Sequence, residues 1–489
     1  MSNTCPVRCQ DFTKNKCKKC ESKMPTFVSP NEEDANRCYE KIVLPYKENW
    51  EAEIPSQQVA EMVVSDGNVK KQKSKRKIAS ILIILAVLGL SIWGITNIHT
   101  DTYLERGNAY RDKGDYERAI ADFNEAIRIN PNHVSAYYNR GNAYRNKGDY
   151  ERAIADFNEA IRINPNYASA YNNRGNVYRN KGDYDQAIAD YTQAIRINPN
   201  YAIAYYNRGN AYRNKSDYDQ AITDYTQAIK INPNYASAYY NRGNAYRDKS
   251  DYDQAIADYT QTIKLDPNHA NAYTNRGNVY RNKSEYERAI ADFDEAIRIN
   301  PNHTSAYYNR GNVYRNKGDY ERAIADFTEA IRINPNHVSA YNNRGNMYRN
   351  KGDYDLAIAD YTQAIKINPN YADAYYNRGN VYRNKGDYDL AIADYTQVIK
   401  LDPNHVSAYN NRGNMYRNKG DYDLAIADYT QAIRVNPNYA DAYNNRGNAY
   451  YYKRDYDRAI ADYEATLRIN PNHTNARQWL EETRRMRGR

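Results

Sequence analysis

Residues 134–167 read VSAYYNRGNAYRNKGDYERAIADFNEAIRINPNY, and this stretch decides the architecture of most of the chain. Tyr137, Gly141 and Tyr144 stand at i, i+4 and i+7, which puts one stripe on a first helix, with glycine permitting close backbone approach to a partner. Asn146, Lys147, Gly148 and Asp149 supply turn chemistry, and Asp149 is placed to cap the next helix. Tyr150, Ala153, Ile154, Phe157, Ala160 and Ile161 then recur at helical spacing until Pro165 closes the segment. The stretch predicts two antiparallel helices joined by a tight turn.

Outward from it, the tripeptide Arg-Gly-Asn recurs at one unvarying interval, with its glycine at Gly107, Gly141, Gly175, Gly209, Gly243, Gly277, Gly311, Gly345, Gly379, Gly413 and Gly447. A proline closes each copy at a fixed offset from its glycine, from Pro131 after Gly107 to Pro471 after Gly447. A lone helix pair cannot bury its apolar faces, so eleven copies must stack on one another and need a polar cap at the ends. Residues 474–489 suit a capping helix, with Ala476, Trp479, Leu480 and Thr483 on one stripe. The 54 tyrosines, against 6 phenylalanines, follow from copying one unit.

A small residue, an aromatic three later, then Ala, an aromatic, Ala and Pro, here Gly141, Tyr144, Ala153, Phe157, Ala160 and Pro165, resembles the tetratricopeptide repeat over residues 100–473. The resemblance implies an all-α, right-handed superhelical solenoid whose first helices line a concave groove for peptides or partner proteins. Two positions depart from the family: Arg140 and its equivalents stand where leucine is frequent, and Tyr137 where tryptophan is frequent. The family's two-carboxylate clamp needs a lysine three residues before the glycine. Tyr138, Asn172, Tyr206 or Asn342 stands there, so capture of chaperone tails is not expected.

Opposite the packing stripe the first helices carry asparagine in register. Two residues before the glycine stand Asn139, Asn173, Asn207, Asn241, Asn275, Asn309, Asn343, Asn377, Asn411 and Asn445, with Glu105 in the first copy. One residue after it stand Asn142, Asn176, Asn210, Asn244, Asn278, Asn312, Asn346, Asn380 and Asn414, the series running from Asn108 to Asn448. An amide can both donate to and accept from an extended backbone of any sequence. The series resembles the asparagine ladder of O-linked N-acetylglucosamine transferase repeats. The competing reading is that these amides cap or bridge neighbouring units. Arg145, Arg179, Arg213 and Arg247, at one repeat position beside them, are candidates for receiving acidic side chains or a terminal carboxylate.

Ahead of the array, residues 78–98 (IASILIILAVLGLSIWGITNI) carry no charge over 21 residues, enough to cross a bilayer core of about 30 Å as a helix. The basic run at 70–77 precedes this segment, which places the N-terminus in the cytoplasm and the repeats outside by the positive-inside rule. That describes a single-pass protein, best suited to a bacterial inner membrane with a periplasmic or extracellular array. All five cysteines lie at or before Cys38, consistent with a reducing side for the tail 1–69. Cys5, Cys9, Cys17 and Cys20 offer four thiolates for a structural zinc, or are simply free thiols in a flexible tail.

The formal charge of +9 is concentrated outside the repeats: 15 basic against 11 acidic residues in 1–77, and 5 against 2 in 474–489, leave +2 between. Nucleic-acid binding is therefore not expected of the array. Six of the seven histidines (His133, His269, His303, His337, His405, His473) share one repeat position with tyrosine, which marks them as packing or turn residues. No phosphate loop, metal cluster or nucleophile motif occurs in the array, so no enzyme activity and no required cofactor are expected. The reading is a membrane-anchored interaction scaffold. The alternative is a subunit that tethers or presents substrates to a separate enzyme, such as a glycosyltransferase.

Overall fold

The computed structural model describes residues 99–488, and the expected membrane helix 78–98, the basic run 70–77 and the cysteine tail 1–69 lie outside them. Among the described residues there are only helices and turns, and no helix is long and apolar enough to cross a membrane. Helix α1 spans 99–112, α2 Tyr116–Ile129, α3 Val134–Lys147 and α4 Tyr150–Ile163; the alternation continues to α22 (Tyr456–Ile469) and closes with α23 (Thr474–Arg487). Each repeat is one odd-numbered and one even-numbered helix, and each helix packs on its predecessor and successor, which makes a solenoid.

The caps follow from the residues that precede each helix. Asp149 accepts the Arg152 backbone amide at 3.2 Å to start α4. At several first helices a histidine does the same work, His133 Nδ1 accepting the Ala136 amide at 3.2 Å, while His303 turns its Nε2 to Asn271 at 3.0 Å instead. Gly148, which ends α3, has φ +83°, the left-handed conformation that a residue without Cβ adopts freely. Three repeats put serine there instead, Ser216, Ser250 and Ser284 at φ 60 to 64°, and the last puts Arg454.

Packing within a repeat turns on Gly141. A Cβ there would lie 2.9 Å from Phe157 Cε1, so only glycine lets α3 settle onto the aromatic ring of α4. Between repeats, the core continues through small and branched residues: Ala187 and Tyr191 of one second helix are buried with Ala211 of the following first helix. At the end, Ala476, Leu480 and Thr483 of α23 are buried, while Trp479 is half-buried and meets Tyr451 edge-to-face with ring centroids 5.1 Å apart. First helices of successive repeats touch directly along most of the array, and no pair of second helices does so to the same extent. The first helices therefore form the inner side of the stack.

Candidate functional site

The inner side is built from three rows of repeated residues on the first helices. The row just before each glycine is structural. Arg140 lies over the Tyr137 ring and donates from Nε and Nη2 to both carboxylate oxygens of Asp156 at 2.8 and 2.7 Å; its Nη1 donates to Asn124 of the preceding repeat at 2.5 Å. The same fork recurs in every copy, from Arg106–Asp122 to Arg446–Asp462. Burial pushes the Asp156 carboxyl up, against the pull of Arg140. The arginine that departs from the family pattern is thus half of an ion pair. Its partner, an aspartate at one fixed place on every second helix, was visible in the sequence as a second strictly repeated charge.

Asparagines form the second row, and they bond chiefly to one another across repeat boundaries. Asn173 Nδ2 donates to Tyr138 Oη at 2.8 Å and to Asn142 Oδ1 at 2.9 Å, both in the preceding repeat. Asn241, Asn275, Asn343 and Asn411 do the same with Tyr206 and Asn210, Tyr240 and Asn244, Tyr308 and Asn312, and Tyr376 and Asn380. Where asparagine replaces that tyrosine, the bridge becomes amide to amide: Asn207 to Asn172 at 2.9 Å, Asn377 to Asn342 at 3.1 Å. Asn139 and Asn309 instead accept from the arginines of the preceding repeat, Arg111 at 2.9 Å and Arg281 at 3.1 Å. The asparagines after the glycine face the second helix: Tyr191, Tyr361 and Tyr429 donate their buried hydroxyls to Asn176, Asn346 and Asn414 at 2.8 to 2.9 Å.

Of the two readings open at the sequence level, these contacts are those of the bridging one. Both hydrogens of the Asn173 amide are engaged, so a peptide that used this group would have to exchange a partner for it. Asn142, Asn207, Asn244, Asn312, Asn343 and Asn411 are buried, and Asn146, one turn on, is exposed.

The third row is Arg111, Arg145, Arg179, Arg213, Arg247, Arg281, Arg315, Arg349, Arg383 and Arg417, with Tyr451 in the last repeat. These arginines are half-buried. Carboxylates reach three of them: Asp112 lies 2.9 Å from Arg111, and Asp248 lies 2.7 Å from Arg247 and 3.7 Å from Arg213. Asp112 and Asp248 occupy the position that carries asparagine in all the other repeats except the last, where Tyr452 stands. Around the other seven, no carboxylate among the described residues comes within ion-pair distance; amides are their polar company, as with Arg349 to Asn377 at 3.3 Å. The Arg213 Nε is buried without a hydrogen bond. Burial, reinforced by the charges of Arg111 and Arg179, lowers the Arg145 guanidinium below its ordinary value. By contrast the remaining first-helix cations are paired. Lys181 meets Glu151 at 3.0 Å, and the same lysine–carboxylate link to the preceding repeat runs from Lys147 to Lys453.

An unbroken stack of paired helices, with amides bridging units and a row of arginines on the first helices, defines a helical-repeat scaffold fold, of the kind typical of protein–protein interaction. Family models described as TPR repeat and Tetratricopeptide repeat match without a gap from residue 104 to 473, including 104–168, 175–216, 240–304, 345–386 and 440–473. The chain belongs to the tetratricopeptide repeat family. No curated protein matches it. Among solved structures it is similar to YrrB, described as a TPR protein with an unusual peptide-binding site, at 28% identity over 38% of this chain and 95% of that one, with a TM-score of 0.34. MamA is 31% identical over 32% of this chain and 93% of its own, with a TM-score of 0.32. Yeast Tom70 is 15% identical over 80% and 96%, with a TM-score of 0.35.

Proposed function

We propose that the array is an interaction scaffold that holds partner proteins through extended segments laid along the inner side of its first helices. The observation that carries this reading is the repetition itself: one polar face, presented in register by eleven first helices that touch along most of the array, offers the same groups at regular intervals to a linear ligand. A compact ligand has no use for such a lattice. The groups offered are the arginine row, the exposed amides of the Asn146 row and, by exchange of partners, the asparagine ladder. In this reading the stack winds as a right-handed superhelix, with residues 78–98 anchoring it in a bilayer and the array on the side away from the cytoplasm. Zinc in the Cys5, Cys9, Cys17, Cys20 set would be a structural accessory of the tail.

A photo-crosslinking side chain placed at Asn180, exposed on a first helix, is expected to capture short unstructured peptides from a mixed set, whereas the same group at Gln186, on a second helix, is not. Equal capture at both positions, or none at either, would refute the groove. Topology is checked separately by an impermeant thiol reagent on intact cells: labelling of a cysteine introduced at Ser339 but not of Cys20 is expected, and the reverse would place the array in the cytosol. The tethering alternative differs in one observable, an enzyme activity that co-purifies with the chain and depends on the array.

A further inference from the structure

The seven arginines that no carboxylate among the described residues reaches are not scattered. Arg145 and Arg179 stand as one pair, Asp248 then lies within ion-pair distance of both Arg213 and Arg247, and Arg281, Arg315, Arg349, Arg383 and Arg417 follow in five consecutive repeats. A guanidinium half withdrawn from water and left without a counter-charge is in an unfavourable setting, which a carboxylate would relieve. Elsewhere on the same helices the fold supplies that carboxylate, to the Arg140 row in every copy and to the lysine row from Lys147 to Lys453.

We propose that residues 281–417 form a linear track for an extended acidic polypeptide segment, with the guanidinium of each repeat receiving an aspartate or glutamate side chain and the neighbouring amides steadying its backbone. This deepens the scaffold reading and rests on it. Arginine suits the task because its planar fork matches a carboxylate with two parallel hydrogen bonds. A polypeptide is favoured over a nucleic acid because the segment 78–473 carries a net charge of only +2, and the acidic partners of the paired cations would repel a dense polyphosphate. The track ends where Tyr451 replaces arginine, and Asp248, standing in place of asparagine, separates it from the Arg145–Arg179 pair.

That separation supplies a gain-of-function test. The full-length chain in detergent micelles is titrated with a fluorescent peptide of repeating Glu-Gly-Ser, with its Gln-Gly-Ser counterpart and with a single-stranded oligonucleotide of equal charge. The acidic peptide is expected to bind at least about tenfold more tightly than the Gln peptide, with affinity falling as salt rises. Combined Arg315→Gln, Arg349→Gln and Arg383→Gln should remove that preference while the helical signal and urea midpoint stay in place. Asp248→Asn, which restores the residue most repeats carry, should tighten binding by joining the two runs. Equal binding of both peptides, unmoved by these substitutions, would overturn the acidic track and leave the scaffold intact. Binding of neither peptide would overturn both, and an arginine-dependent preference for the oligonucleotide would assign the track to nucleic acid instead.

Discussion

A single oxygen shows how closely the repeats are matched. In repeats with tyrosine at the buried ring of the second helix, its hydroxyl donates to the asparagine that follows the glycine, as Tyr225 does to Asn210 at 2.8 Å. Phe157 and Phe327 cannot, but there the next repeat's Asn173 and Asn343 still donate, as Asn241 does to Asn210, and are bonded to Tyr138 and Tyr308. Phe123 and Phe293 have Leu104 and Thr274 where that tyrosine would stand, and the carbonyl oxygens of Asn108 and Asn278 are left buried without a donor. Phe293→Tyr is therefore expected to stabilise the array by about 1 kcal/mol, and Tyr225→Phe to destabilise it by a similar amount. Urea unfolding of the two variants against the parent checks both signs. This network was not legible beforehand: the asparagines stood out in the sequence, but their partners lie in another repeat, and only the stacking geometry decides which hydroxyl meets which amide.

At the scale of the helix, the turns and the close crossings carry the strain. Ser216, Ser250 and Ser284 occupy the left-handed conformation that glycine holds in seven other repeats. Replacing each with glycine is expected to raise stability by about 0.5 to 1 kcal/mol, because relief of the Cβ clash outweighs the added freedom of the unfolded chain. The triple variant should show a higher thermal midpoint by calorimetry. The opposite outcome is expected at the crossing glycines. In Gly209→Ala the new methyl would sit 2.8 Å from Cε1 of Tyr225, a ring with no room to move, so a loss of about 1 to 3 kcal/mol outweighs the better helix propensity of alanine. Loss of the far-ultraviolet helical signal at a lower urea concentration would register it. Both roles were readable in the sequence, since a glycine at a fixed place, in every unit at the crossing and in seven of eleven at the turn, has a backbone reason. The histidines combine two roles that the sequence leaves unresolved: His269, His337 and His405 cap first helices through Nδ1, and their rings pack at a tilt against Tyr240, Tyr308 and Tyr376 with centroids 4.7 to 5.0 Å apart.

Across the whole array, seven phenols (Tyr191, Tyr225, Tyr259, Tyr361, Tyr395, Tyr429 and Tyr463) are fully buried, and burial pushes each far above the ordinary tyrosine value. A group whose pKa is raised in the folded state stabilises the fold below its unfolded value, near 10, and that stability drains away as pH rises beyond it. Each phenol contributes a slope of about 1.4 kcal/mol per pH unit, so the array should unfold abruptly in mild alkali. The check is the tyrosinate absorbance followed together with circular dichroism: the buried phenols should ionise only as the helices are lost. Gradual ionisation in a folded array would contradict it. Neighbour-only packing adds that alkali should release the repeats in groups, since each helix pair depends on the next for its core.

Period, pairing of helices, turn chemistry and the crossing glycine were determined by the sequence alone, because each is a local property that 34-residue spacing repeats eleven times. The arginine that replaces the family's leucine, the amides and the open guanidinium row acquired their meanings only in the tertiary structure. Whether a polar group is available to a ligand depends on what the next repeat brings beside it. Asn173 and Arg349 look equally free along the chain; stacking gives Asn173 two acceptors and leaves Arg349 without a carboxylate.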